Sequence, residues 1–330
     1  MVLWVLDAAT QDQVKAMVVV VGHGATWVEK SLTERASTDQ HLSFVEQSEQ
    51  LGTGHAVAVA LPTISDEIGS ADGDVLILPG DAPLLRPGTV HELLERHRES
   101  QAALTVLTAV VANPSGYGRI VRHKDATIAR IVEERDATNE ERSITEVNTS
   151  IMVVRESLLG PALRRVDRKN HQHEYYLTDL VEVLREAGHV ANAMVLDDPD
   201  EAAGVNDRAQ LAAAEAVLRR RINERWMQRG VTMWNPSHTY IDADVELAPE
   251  VSLLPGTILK GRCVVARGAQ IGPNAMLTDV AVGENARVGT IEAERVRIGA
   301  DAIVHSFVVL APGGDVGDGD VVAPLESRSR

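Results

Sequence analysis

Beyond Tyr240 the chain places an aliphatic residue at every sixth position: Ile241, Leu247, Leu253, Leu259, Val265, Ile271 and Leu277. Four places after each stands a small or β-branched residue: Val245, Val251, Thr257, Cys263, Ala269, Ala275 and Ala281. A one-residue slip re-phases the series to Val282 and Val288, and it resumes as Ile298, Val304, Leu310, Val316 and Val322. No helix keeps a period of six on one face, and no two-residue pleat does so with these intervening turns. The pattern predicts a parallel β-helix of hexapeptide repeats, in which each coil buries its inward aliphatics against the next. Cys263 holds an inward small-residue position, which gives it a packing role rather than that of a reactive thiol. The terminal Pro324–Arg330 stretch, PLESRSR, no longer follows the repeat.

The earlier part of the chain has a different period. Met17–Val21 is an apolar run that ends at Gly22-His23-Gly24, after which Ala25–Leu32 has a helical pattern. Leu51–Leu61 reads as a helix opened by glycines, Val75–Leu78 as a strand, and Thr89–Arg98 as a helix. Ala103–Val111 is apolar and long enough for a central strand. Such alternation predicts an α/β domain with a mostly parallel sheet. Ligands of such sheets bind outside the carboxyl ends of the strands. From Asp207 to Arg229 the pattern is helical, with Gly230 as its stop. The expected organisation is therefore a domain over 1–206, a linker helix over 207–230 and a shortened β-helix over 231–330.

The formal net charge of −16, from 48 acidic and 32 basic residues, argues against binding to nucleic-acid backbones, which needs clustered cations. The short basic run Arg219-Arg220-Arg221 reads as a solvated helix face. A single cysteine excludes an internal disulfide framework and fits a reducing compartment. The N-terminus has no basic region or cleavage site of a signal peptide, and no apolar run reaches membrane-span length. Together these predict a cytoplasmic protein with no membrane partner.

Several segments pair chemistry-bearing residues with turns. In Val75–Leu85, VLILPGDAPLL, Asp81 stands at the tip of a strand fit for a buried core. A hard cation such as Mg²⁺ takes one or two protein oxygens beside phosphate and water. Asn206 in GVNDR could supply the second, or could serve as N-cap of the long helix. Gly52 and Gly54 open a helix whose free N–H groups can face an anion or a base carbonyl, and Gln47 carries both an amide donor and an acceptor. Gly22 and Gly24 lack the third glycine of a dinucleotide fingerprint and read as a turn. Pro114–Ile120 reads as a loop entering a strand, whose glycines either admit close backbone approach to a sugar or simply turn the chain. Glu133–Asp136 reads as a solvated charge cluster, and the Asn of Glu146–Thr149 as a turn cap more often than a ligand contact. The eleven histidines show no metal-ligand spacing.

QLGTGHA, LPGDAPLL, PSGYGRI, VEERDAT, EVNTS, EYYLTD and GVNDRAQL occur in one order, with a hexapeptide repeat behind them. In this the chain closely resembles the bifunctional GlmU family of N-acetylglucosamine-1-phosphate uridylyltransferase/glucosamine-1-phosphate acetyltransferases. The resemblance implies a Rossmann-like nucleotidyltransferase domain followed by a left-handed parallel β-helix and a homotrimer formed through that β-helix. It implies UTP and N-acetylglucosamine 1-phosphate as substrates. By the same resemblance Gln47, Gly52 and Thr53 contact the uracil, and Pro79, Gly80 and Asp81 line the nucleotide. Asp81 and Asn206 hold Mg²⁺ and are the catalytic pair. Gly118, Glu133 and Asn148 bind the sugar, with Tyr176 and Thr178 nearby.

The departures from the family pattern shape further expectations. The match begins after a first strand and a loop of the type L-A-A-G-x-G-T-R-M, so the domain is expected to lack both. Ser150 and His173 stand where the family has glycine, and Arg135 where it has lysine. Ala311 aligns with an arginine of the acetyltransferase site, whose remaining residues would lie past Arg330. The expectation is uridylyl transfer without acetyl transfer. The rival readings are an impaired relic that keeps ligand binding and trimer formation, and a uridylyltransferase for another sugar 1-phosphate.

Overall fold

The computed structural model describes residues 1–10, 14–34, 41–69, 73–325 and 327–328. Contacts divide the chain into two compact units, Met1–Leu211 and Ala212–Arg330. Among the described residues no helix is long and apolar enough to cross a membrane.

The first unit runs α1 (Val2–Ala9), β1 (Met17–Val21), α2 (Ala25–Thr33), β2 (Leu42–Glu46), α3 (Thr53–Ile68), β3 (Asp74–Ile77) and α4 (Pro87–Glu99). It continues with β4 (Leu104–Val110), β5 (Arg119–Arg122), β6 (Ile128–Val132), α5 (Asn139–Arg142), β7 (Glu146–Arg155), α6 (Glu156–Leu163), α7 (Leu180–Glu186) and β8 (Ala191–Val195). β1 and β2 form a parallel pair from Met17/Leu42 to Val21/Glu46. The main sheet has the order β6-β5-β7-β4-β8, with β3 also paired to β7. In it β3, β4, β5 and β8 run one way while β6 and β7 run against them. The apolar run over 103–111 forms β4, which lies between β7 and β8 and is buried from Leu104 to Ala109, as an inner strand covered on both faces must be. The helix opened by the glycines runs on to Ile68, through Pro62.

β7 is shared between two partners along one edge. Its Met152–Arg155 end pairs with β3, and Val147 pairs with Arg119 of β5. In between, the ladder to β4 is interrupted: Val106 faces Met152 and Thr108 faces Asn148, so Leu107 alone stands opposite Thr149–Ile151. Side chains satisfy the backbone of this bulge. Thr149 Oγ1 donates to Leu107 O at 2.7 Å and accepts from Ile151 N at 3.3 Å, while Asn148 Oδ1 accepts from Ser150 N at 3.1 Å. Bulges re-aim side chains at the rims of sites. Here the bulge sits between the end of β3 and the start of β5.

In the second unit, α8 (Arg208–Gln228, its first turn in the first unit) leads into three parallel sheets of two- and three-residue strands. Partners stand one coil apart, as in Tyr240/Ile258/Met276 and Glu246/Val264. The inward aliphatics from Ile241 to Val322 are all buried. Cys263 is buried with them; its thiol donates to the carbonyls of Lys260 and Leu277, and burial raises its pKa. Coil corners stack through glycine: a β-carbon on Gly256, at φ +78°, would lie 2.2 Å from Asn274 Oδ1 of the next coil.

The repeat differs from expectation in three places. Val280, not Ala281, takes the inward small position; Ala281 faces outward because the corner at left-handed Asp279 is one residue shorter. Ala293 fills an inward slot between Val288 and Ile298 that a purely aliphatic count passes over. The repeat also reaches into the terminal stretch, where Ser327–Arg328 pairs with Val309–Leu310; Glu326, Ser329 and Arg330 lie outside the described residues.

Candidate functional site

At the carboxyl end of β3 the chain passes through Pro79-Gly80-Asp81, and the Asp81 carbonyl accepts from Val205 N at 2.9 Å. This bond brings the Gly204–Asn206 loop against Asp81. A β-carbon on Gly204 would lie 3.6 Å from Asp81 Oδ2 and 3.9 Å from Asn206 Nδ2, so carboxylate and carboxamide flank the same glycine. The loop is anchored from behind by buried Glu201, which accepts from Arg86 N at 2.9 Å and from the Thr89 hydroxyl at 2.7 Å. Asn206 is not the N-cap of α8. Asp207 is: its carboxylate accepts from Gln210 N at 2.7 Å, while Gln210 Oε1 accepts from Asn206 N and Asp207 N. This reciprocal cap satisfies the helix end without the Asn206 side chain. A carboxylate and a carboxamide are hard oxygen donors, the set that suits Mg²⁺.

The glycines that open α3 have a packing reason. Gly54 N donates to Tyr175 O at 2.8 Å, and Tyr175 N donates to Leu51 O at 2.8 Å. A β-carbon on Gly52, which has φ +105°, would come within 2.7 Å of Tyr175 O; one on Gly54 would come within 2.9 Å. Glu174-Tyr175 therefore lies directly on the turn. Thr53 Oγ1 accepts from Leu177 N at 3.2 Å, and Gln47 reaches back from the end of β2 to donate to Gly52 O at 3.1 Å. Gln47, Gly52 and Thr53 thus form one cluster. Gly22 and Gly24 form the strand-to-helix turn expected of them, with Gly24 in the left-handed region at the start of α2.

A third cluster gathers around Gly118. A β-carbon there would lie 3.1 Å from Ile131 Cγ2, 3.3 Å from Glu133 Oε2 and 3.5 Å from Asn148 Cβ, and Asn148 N donates to Gly118 O at 2.8 Å. Glu133 accepts from the Thr178 hydroxyl at 3.0 Å. Because Thr178 follows Leu177, the bond to Thr53 ties this cluster to the one at Gly52. Next along β5, Arg119 is buried and pairs with Glu134 at 2.6 Å; its guanidinium also donates to Tyr117 O. That pair fixes the Gly116–Gly118 loop against the end of β6, with Gly116 N donating to Glu134 Oε2 at 3.3 Å.

The electrostatics here are those of crowded, partly buried carboxylates. Burial pushes the Glu133 carboxyl upward against the opposing Thr178 bond. Burial, then nearby Glu182 and Asp167, raise Asp179 to about 6. Burial and the neighbouring Asp136 charge raise the Tyr176 phenol to about 12, and its hydroxyl donates to Gln172 Oε1 at 3.1 Å. Such perturbed groups concentrate where ligands bind. Sequence reasoning passed over the anchor Glu201 and the cap Asp207. Gln210, three residues after Asp207, is the readable sign of a capping box.

A family model described as nucleotidyl transferase matches residues 1–234. The bifunctional protein GlmU of Brevibacillus brevis is 41% identical over 317 residues, covering 96% of this chain and 67% of the relative. GlmU of Caldanaerobacter subterraneus subsp. tengcongensis is 42% identical over 288 residues, covering 87% of this chain and 60% of the relative. GlmU of Carboxydothermus hydrogenoformans is 40% identical over 319 residues, covering 97% of this chain and 69% of the relative.

Proposed function

The chain belongs to the nucleotidyl transferase family and within it to the GlmU proteins, and from that premise we propose that it transfers the uridylyl group of UTP to N-acetylglucosamine 1-phosphate. The products are UDP-N-acetylglucosamine and pyrophosphate. The observation that carries the reading is that the first unit of a chain matched by this family groups these residues into clusters. Gln47/Gly52/Thr53 is joined to Gly118/Glu133/Asn148 through Leu177 and Thr178, and Asp81 is paired with Asn206 at the end of β3.

In this reading the first cluster takes the uracil, and the third takes the sugar, with Glu133 and Asn148 hydrogen-bonding its hydroxyl and amide groups. A sugar-phosphate oxygen then forms a bond to the UTP α-phosphorus as the bond to the β-phosphate oxygen breaks. No side chain needs to exchange a proton for the transfer, so the protein contributes position and charge. Asp81 and Asn206 would hold Mg²⁺, which neutralises phosphate charge. The Glu201 anchor keeps their loop in place during the exchange.

The reading assigns no acetyl transfer to this chain, because Ala311 stands where the resemblance expects an arginine. Acetylation of glucosamine 1-phosphate from acetyl-CoA would overturn that part. It also assigns a cytoplasmic location and a homotrimer formed through the parallel β-helix. Calorimetric titration of UTP tests the nucleotide site: binding should strengthen with Mg²⁺, and that gain should vanish in Asp81→Ala. A gain retained in the variant would remove Asp81 from the metal.

A further inference from the structure

Gln47 and His55 are joined across the turn between β2 and α3. The Gln47 amide nitrogen lies 3.1 Å from Gly52 O and 3.0 Å from His55 Nδ1. A backbone carbonyl only accepts, so Gly52 fixes which end of the carboxamide is nitrogen; the reverse orientation would set two oxygens against each other. The second hydrogen of the same nitrogen then meets His55 Nδ1. That atom must carry a lone pair, which puts the imidazole proton on Nε2.

The ring itself is held. His55 stacks on Tyr175 with centroids 6.2 Å apart and planes inclined by 28°, and the Arg168 guanidinium lies over the Tyr175 ring at 5.5 Å. Tyr175 is fixed in turn by its two backbone bonds to Leu51 and Gly54. Both amide hydrogens of Gln47 are thereby committed to the protein, and Oε1 is the end left to a ligand. A carbonyl oxygen pairs with the imide N3–H of uracil. Cytosine presents a bare lone pair at N3, which would oppose it.

We propose that His55 is a positioning residue for base selection: it locks Gln47 with its oxygen presented to N3–H, so that the site takes UTP over CTP. The proposal rests on the reading that Gln47 faces the base. His55 touches neither base nor phosphate in this scheme and acts through Gln47.

Two measurements test it. Long-range ¹H–¹⁵N correlation of the labelled 330-residue protein, with His55 assigned through its own side-chain carbons, should show the Nε2–H tautomer with a hydrogen-bonded Nδ1. A proton on Nδ1 would overturn the proposal without any variant being made. Calorimetric titration of UTP and CTP, each with Mg²⁺, should then give a clear UTP preference in the wild type. In His55→Phe, which keeps a ring on Tyr175 but offers no acceptor, that preference should fall about five- to tenfold, the worth of one hydrogen bond. Gln47→Ala distinguishes base contact by Gln47 from its positioning by His55. If it erases the preference while His55→Phe keeps the wild-type ratio, Gln47 faces the base but His55 does not position it. If Gln47→Ala leaves the ratio unchanged, the base-facing reading fails and the proposal with it.

Discussion

The Thr178 hydroxyl donates to the Glu133 carboxylate at 3.0 Å and so joins the end of β6 to the turn that enters α7. Burial raises the Glu133 pKa, and this bond opposes the rise. Thr178→Val removes a donor from a half-buried carboxylate, at a cost of about 1–2 kcal/mol in folding stability. If Glu133 binds the sugar, KM for N-acetylglucosamine 1-phosphate should rise more than kcat falls. Denaturant titration and steady-state kinetics check both; unchanged stability together with unchanged KM would show that the bond carries neither role.

Asp179 makes stability depend on pH. Its carboxyl is raised from 3.8 to about 6, so the folded state holds the proton more tightly than the unfolded chain does. The stabilisation is present in full below about pH 4 and is lost as pH rises through about 6. Asp179 caps α7 without a side-chain hydrogen bond, so Asp179→Asn removes the charge and little else. The variant should be more stable than the wild type by about 1 kcal/mol at pH 7.5, after allowing for solvent screening, and the gain should disappear below about pH 4. Thermal melts across that range would contradict this if the difference did not vary with pH.

Ser150 and His173 stand where the resemblance expects glycine, and both adopt left-handed backbone, at φ 62° and 56°. A side chain in that region costs roughly 1–2 kcal/mol locally, offset in part by the greater freedom glycine gives the unfolded chain. Ser150→Gly and His173→Gly should each stabilise by about 0.5–1 kcal/mol in denaturant titration. A loss of stability in both would mean that their side chains hold more than the backbone strain they impose.

Gly52 is expected to tolerate no side chain. Its φ of +105° and the 2.7 Å approach of a β-carbon to Tyr175 O act together, and the obstacle is backbone, which cannot rotate away. Gly52→Ala should destabilise by about 2–4 kcal/mol and weaken UTP binding. Gly188→Ala, where φ is +86° but nothing lies within 4 Å of the added carbon, is the control: it should cost only the backbone conformation, about 1 kcal/mol.

The solenoid was legible because a coil forces the same side inward at each sixth residue, and Ile241, Leu253 and Ile271 announce it. It became illegible where the inward residue is as small as Ala293, or where a left-handed Asp279 shortens a corner and moves the small position to Val280. Asp81 stood out as a carboxylate at the end of an apolar strand. Its neighbour Asn206 was ambiguous, since Asn and Asp cap helices equally well, and only the reciprocal bonds of Asp207 and Gln210 settle which one does. The Gln47–His55 bond could not be read at all, because it spans a strand end, a glycine turn and the first turn of a helix. The bulge at Thr149–Ile151 was hidden for a similar reason: it depends on the register of β7 against β4.

The most direct test is to incubate the 330-residue chain with UTP, Mg²⁺ and N-acetylglucosamine 1-phosphate and to quantify UDP-N-acetylglucosamine and pyrophosphate together. The account predicts both products in equal amounts, with the rate reduced by about two orders of magnitude or more in Asp81→Ala, as loss of a metal-held charge requires. No UDP-N-acetylglucosamine from the wild-type chain, or equal rates in wild type and Asp81→Ala, would contradict it.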